Sequence, residues 1–155
     1  MLIEDLESEM RRRVVLTSGA FEIIHPAHIK MLWEAKKLGG KNSKLVVVLA
    51  RDDTIRARKK REPLLNERAR KYIISNLKPV DEAVLGFKKF SFKKIIDKVK
   101  PDIVVFGYDQ DEIMHEFMKF VEREKLRIKV YKAKKYKIGE VNSTTDIIRK
   151  LKTLP

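Results

Sequence analysis

Residues 14–28 read VVLTSGAFEIIHPAH, and the fold turns on how that stretch divides. Its apolar opening ends at Thr17-Ser18-Gly19, the pattern of a buried strand delivering a loop. The loop closes on His25-Pro26-Ala27-His28, and an amphipathic run through Ile29, Met31, Leu32, Trp33 and Leu38 follows. Proline just inside a helix start is favoured, because the N–H it lacks would be unpaired there. His25 and His28 stand three residues apart, so the first helical turn presents both on nearly one face. Two imidazoles at the positive end of a helix, beside a glycine turn, make a site for anionic oxygen. A helix cap or a stray surface histidine explains either one alone. The pair with Gly19 and Phe21, in a strand–loop–helix context, favours a site.

Working outward, residues 2–11 carry Leu2, Leu6 and Met10 at helical spacing and read as a leading helix before the main domain at 12–155. The first strand spans 13–18 and the first long helix 26–38, stopped by Gly39-Gly40. LVVVLA at 45–50 is a continuous apolar run, as expected of a parallel strand covered on both faces. Residues 51–65 read as a charged connection, with Asn66 capping a helix to about Leu77. Further strands are predicted at 83–86, 103–107 and 128–131, and helices at 92–99, 112–125 and 144–151. This alternation predicts an α/β fold: a Rossmann-like three-layer sandwich with a five-stranded parallel sheet and right-handed crossovers. Ligands of such sheets collect outside the carboxyl ends of the strands, so the loops after Gly19, Ala50, Gly107 and Tyr131 should converge on one crevice.

The length of 155 residues suits one domain, and 43% hydrophobic content suits a globular core. No apolar run approaches the roughly 20 residues of a membrane span, and MLIEDLESEMRRR lacks the apolar centre of a secretion signal. No cysteine is present, which removes disulfides and thiolate metal sites and agrees with a cytoplasmic location. Lys and Arg number 36 against 22 Asp and Glu, a formal net charge of +14 that draws phosphorylated metabolites, nucleic acid or membrane lipid. A charged fraction of 37% also resembles thermophile composition, in which much of the surplus is solvated surface.

Three further stretches carry chemistry. Asp109, in Phe106-Gly107-Tyr108-Asp109-Gln110, lies just past a strand end, where a carboxylate can accept from ribose hydroxyls; Asp111 is the better candidate for capping the next helix. Ser143 and Asp146 match a capping box, and the free N–H groups and hydroxyls of Ser143-Thr144-Thr145 suit terminal phosphates. Tyr136 reads equally as a packing surface for a nucleobase and as core. G-x-x-x-x-G-K-[ST], G-x-G-x-x-G and H-E-x-x-H are all absent, and His115 reads as a surface residue in mid-helix.

The run Gly19-Ala20-Phe21-Glu22-Ile23-Ile24-His25-Pro26-Ala27-His28 resembles the G-x-F-D-x-x-H-x-G-H signature of the cytidylyltransferase-like nucleotidyltransferases, and the likeness extends from about Arg12 to Lys150. Within that superfamily the chain is most similar to the archaeal FAD synthases. Glu22 stands where the pattern has Asp. Ala27 stands where it has Gly, adding a methyl where nucleotide and backbone approach closely.

The resemblance implies a nucleotidyltransferase (HxGH-type) fold and transfer of AMP from ATP to FMN, giving FAD and pyrophosphate. His25 and His28 would hold the α- and β-phosphates. Gly19, Ala20, Phe21, Pro26 and Ala27 would bring backbone against the nucleotide, Asp109 and Tyr136 would hold adenosine, and Ser143, Thr144 and Thr145 the leaving pyrophosphate. A lysine of the loop after the second strand, Lys60 or Lys59, would touch substrate phosphates, supported by Arg68. A divalent ion, Mg²⁺ or similar, would arrive with the triphosphate. Relatives of this kind are commonly dimers, so a homodimer is expected and a membrane is not. Two rivals stay open: a CTP-dependent cytidylyltransferase acting on glycerol phosphate or another headgroup phosphate, and a silent nucleotide- or RNA-binding protein.

Overall fold

The computed structural model describes residues 2–155. Its strands are β1 (Val14–Gly19), β2 (Lys44–Leu49), β3 (Glu82–Leu85), β4 (Ile103–Phe106) and β5 (Lys129–Lys132). They form one five-stranded sheet in the order β3-β2-β1-β4-β5. Every neighbouring pair is parallel. The helices are α1 (Ile3–Met10), α2 (Pro26–Leu38), α3 (Asp52–Lys59), α4 (Glu67–Ser75), α5 (Phe92–Val99), α6 (Asp111–Arg123) and α7 (Thr144–Leu151).

Period-two alternation divides the core into two layers. Leu45, Val47 and Leu49 of β2 pack with Leu32 and Ala35 of α2 and Ile74 of α4. Val46 and Val48 face the other way, toward Phe117 and Phe120 of α6 and the half-buried Phe92 and Ile95 of α5. With both faces covered, β2 reads as an unbroken apolar run. Each buried Val or Leu contributes roughly 1.5–3 kcal/mol relative to exposure, so the central strands hold the helices. The chain steps outward from β1 to β3, then returns across the sheet to β4. A constant right-handed crossover therefore puts α2 and α4 on one face, α5 and α6 on the other. The reversal opens a crevice between the ends of β1 and β4.

Local chemistry sets the ends of these elements. Gly40, at φ +82°, takes the left-handed conformation that terminates α2. Asn66 and Ser143 accept backbone N–H bonds from Ala69 and Asp146, capping α4 and α7. The Asp146 carboxylate reaches past the cap residue to the Asn142 N–H, at 3.0 Å. Two expectations change. The stretch 51–65 is not simply a charged connection, because Asp52–Lys59 is helical, with acids in its first turn, bases in its last and Ile55 as its buried anchor. Asp111 does not cap α6: Gln110 holds that position, and its Oε1 accepts the Gly107 N–H at 2.6 Å.

Candidate active site

A cavity of about 510 Å³ lies outside the carboxyl ends of the strands. Its walls come from the loop after every strand, among them Gly19–Glu22, Ala50–Arg51, Gly86–Phe87, Gly107–Gln110 and Tyr136, together with the first turns of α2 and α7. Its size falls within the range of small-molecule sites.

His25 is the N-cap residue of α2, with extended backbone (φ −137°, ψ 169°), and Pro26 follows at the first helical position. The helical turn brings the two imidazoles together, with centroids 3.8 Å apart and planes 30° from parallel. The His25 backbone N–H donates to His28 Nδ1 at 3.3 Å. Burial lowers the pKa of both rings; for His28 it goes to about 4, with His25 as the second cause, whereas at His25 the Asp146 charge acts in the opposite sense. Both are therefore neutral near pH 7. An acceptor Nδ1 places the His28 proton on Nε2, which becomes a donor. His25 Nδ1 is buried without a partner, a condition that costs about 1–3 kcal/mol until a ligand or water satisfies it.

The loop beneath the histidines is held by groups hidden from solvent. Phe21 takes a left-handed φ of 49°, which turns its ring inward against His28, with centroids 5.2 Å apart. A Cβ on Gly19 would stand 2.8 Å from that ring, so glycine here makes room for Phe21. Glu22 follows, with its side chain 0% exposed. Its carboxylate accepts from Lys59 Nζ at 2.7 Å, Arg61 Nη1 and Nη2 at 2.9 and 2.8 Å, and the Leu64 N–H at 3.1 Å. Burial alone would raise the Glu22 pKa; Arg61, Lys59 and the Leu64 N–H outweigh it and hold it at about 2. Glu22, where the family pattern has Asp, is thus the carboxylate that anchors the cationic loop.

Arg70, fully buried, is the residue the sequence reading missed. It donates to Ala20 O at 2.8 Å, Leu65 O at 3.0 Å and Asp52 Oδ1 at 2.8 Å, tying the loop after β1 to α3 and to the start of α4. Its signal was present: Arg70 and Ile74, four apart, form the buried face of α4. Arg68 lies on the exposed face and lines no part of the cavity. Lys60 is likewise exposed and outside it, because it closes α3 in a left-handed conformation (φ 52°), while Lys59 and Arg58 line the wall. Pro26 is exposed and borders a shallow outer groove with Ile29 and Ile138 instead of the cavity.

The other expected residues meet at the cavity. Ala20 and Ala27 line it beside the histidines, and Ser143, Thr144 and Thr145 bring the start of α7 to the same space. Asp109 stands exposed at the rim, after β4. Tyr136 lines the wall, and its hydroxyl donates to Glu34 Oε2 at 2.9 Å; that bond and burial raise its pKa. His115 is exposed on α6, away from the cavity. Among the described residues no three His, Asp or Glu side chains gather to hold a metal ion. The donor set here, imidazole, hydroxyl, ammonium and free helix N–H groups, suits phosphate oxygen.

Residues 16–150 match the cytidylyltransferase-like family. The FAD synthase of Methanothermus fervidus is 48% identical over 139 residues, covering 90% of this chain and 94% of that one. The FAD synthase of Methanothermobacter marburgensis is 45% identical over 142 residues, covering 92% and 87%. Among solved structures, the lipopolysaccharide core biosynthesis protein of Thermoplasma volcanium superposes with a TM-score of 0.73 at 38% identity, covering 82% of this chain and all of that one. Among the described residues no helix is long and apolar enough to cross a membrane.

Proposed function

The chain belongs to the cytidylyltransferase-like family, and from that membership we infer that it is a nucleotidyltransferase that makes FAD from ATP and FMN. A phosphate oxygen of FMN attacks the α-phosphorus of ATP, the bond from that phosphorus to the bridging oxygen breaks, and pyrophosphate leaves. The observation that carries this reading is the meeting of two neutral, stacked imidazoles with the capped start of α7 in one cavity, on a chain nearly half identical to FAD synthases.

His28 Nε2–H is a donor to phosphate oxygen that requires no proton uptake at neutral pH, and His25 Nδ1 supplies a second polar atom beside it. Ser143, Thr144 and Thr145, with the N–H groups of the α7 start, receive the β- and γ-phosphates. Lys59, not Lys60, provides the loop cation, since Lys59 lines the cavity and Lys60 does not. Charge accumulates on phosphoryl oxygens as the transition state forms, so preplaced donors contribute most there. Asp109 and Tyr136 border the adenosine. A divalent cation such as Mg²⁺ would arrive with the triphosphate and would supply charge neutralisation at its oxygens. The catalytic domain spans residues 12–155.

The description of the matching family, cytidylyltransferase-like, favours a second reading, transfer of CMP from CTP to a headgroup phosphate. One assay decides: ATP or CTP offered with FMN or glycerol phosphate, scoring pyrophosphate and the nucleotidylated product. FAD formed from ATP and FMN establishes the first reading. Consumption of CTP alone, with no FAD, replaces it with the second.

A further inference from the structure

The polar groups of the cavity come from one side of the sheet, and its other side adds a purely apolar group of side chains. The imidazoles and hydroxyls come from α2 and α7. From the other face of the sheet, Val48 of β2, Ile95 of α5 and Ile113 of α6 line the cavity, joined by Phe87 and Phe90 of the segment after β3. Val48, Ile95 and Ile113 belong to the same core layer, so this wall is an opening of the α5–α6 layer into the cavity.

Its two aromatic rings are not consumed by that core. Phe90 is 51% exposed although it touches the edge of Phe92, with centroids 4.8 Å apart. Phe87 lines the cavity and carries the ammonium groups of Lys94 and Lys98 at 5.8 and 5.6 Å from its ring. An exposed phenylalanine beside a pocket is uncovered apolar area, and covering it with a flat ring is favourable. A triphosphate or a sugar phosphate gains nothing from such a surface. The nucleotide's own polar partners, Asp109 and Tyr136, come from the loops after β4 and β5, on the opposite side of β1 in the strand order from the Phe87–Phe90 segment after β3.

We propose that Phe87 and Phe90, backed by Ile95 and Ile113, form the specificity subsite for the tricyclic ring of the acceptor, leaving the acceptor's phosphate to reach toward the histidines. This proposal rests on the FAD-forming reading above and adds to it the residues that select a flavin over a small polar phosphomonoester. The glycerol group of the rival acceptor is too small and too polar to cover both rings.

The experiment is a titration of flavin fluorescence with the full-length protein, using FMN and riboflavin as probes, beside steady-state kinetics with ATP and FMN. Riboflavin lacks the phosphate and isolates the ring contact. Phe90→Ala should weaken binding of both flavins roughly tenfold and raise KM for FMN similarly, with KM for ATP changed less than about twofold. Phe90→Tyr should restore binding, which a general loss of structure would not allow, and Phe87→Ala should act in the same direction as Phe90→Ala. If the wild-type protein makes FAD but the alanine variants keep wild-type flavin affinity, the subsite is overturned and the activity stands. A rise in KM for ATP in place of FMN also overturns it, because the rings then hold adenine. If the wild-type protein neither binds FMN nor makes FAD, the functional reading itself has failed, and the subsite with it.

Discussion

Glu22 and Arg61 meet as a two-point pair, Nη1 to Oε1 at 2.9 Å and Nη2 to Oε2 at 2.8 Å, with the carboxylate sealed from solvent and the guanidinium at the surface. The parallel fork fixes direction as well as distance. Arg61 lies beyond the end of α3, so the pair ties the cationic segment to the strand end that also delivers the histidines. Lys59 shares the same carboxylate through Oε2. A phosphate entering the cavity can draw Lys59 away without leaving Glu22 unpaired, because Arg61 and the Leu64 N–H remain.

That arrangement predicts an acid-sensitive contribution to stability. The Glu22 pKa in the folded protein, about 2, lies below its ordinary 4.5. A depressed carboxyl stabilises the fold fully above about pH 4.5 and loses that contribution as the pH falls through about 2. The gap corresponds to about 3 kcal/mol. Denaturant midpoints of Glu22→Gln should fall well below wild type at pH 7 and converge with it near pH 2. Parallel curves across that range would show that the carboxyl is not held in its charged form by these partners.

The neighbouring lysines separate by function. Lys59→Ala should reduce turnover on the order of tenfold or more, since it removes a cation from the phosphate wall. Lys60→Gly should leave turnover unchanged and stabilise the fold by about 0.5–1 kcal/mol, because glycine accepts the left-handed backbone without cost. Steady-state kinetics and thermal melts of both variants test this. Comparable loss from the two substitutions would return Lys60 to the site.

Most of the architecture was legible because its signals are local. The strand of residue 14 onward, Pro26 at the first turn of α2, the unbroken apolar run of β2 and the Ser143 cap each act within a few residues. What escaped the sequence depends on distant partners. α3 has one buried apolar side chain, Ile55, and its other face is charge, so no amphipathic stripe announced it. Phe21 is left-handed because its ring packs against His28 and over Gly19, a relationship that no propensity contains. Arg68 and Arg70 are chemically alike, and only the step of four from Arg70 to the apolar Ile74 marks which is buried. The choice between Lys59 and Lys60 turned on where α3 ends.

Arg70 and Arg68 should therefore differ sharply in stability. Arg70→Met leaves Ala20 O and Leu65 O without their donor and Asp52 without its ion pair in a closed space. A loss on the order of 3–5 kcal/mol is expected in chemical denaturation, as for other broken buried pairs. Arg68→Ala, on the exposed face of α4, should stay within about 0.5 kcal/mol of wild type. Equal effects would contradict the placement of Arg70 beneath the loop after β1.

Ala27 lines the cavity one residue before His28, so removing its methyl would widen the cavity there. Ala27→Gly should give activity equal to or above wild type, at a cost of up to about 1 kcal/mol in helix stability. A marked loss of activity with ATP, measured alongside the melting temperature, would mean that the cavity has been shaped around the methyl.

His28 gives the most direct test of the site. Its pKa of about 4 lies below the ordinary 6.5, so the folded protein binds its proton less readily than the unfolded chain does. The sign follows: stability is complete above about pH 6.5 and declines as the pH falls toward 4, where the imidazole must charge. Protonation also puts a hydrogen on Nδ1, which then cannot accept from the His25 N–H. The turnover of the wild-type protein should accordingly be insensitive to this ring between pH 7 and 8. His28→Ala should lose on the order of 10²-fold or more in turnover. At pH 7 its stability should change far less, because the removed ring is only partly buried. At pH 5 the variant should be the less acid-sensitive of the two, having no imidazole to protonate. Unchanged turnover, with or without that gain in acid tolerance, would place the phosphate-holding groups elsewhere in the cavity.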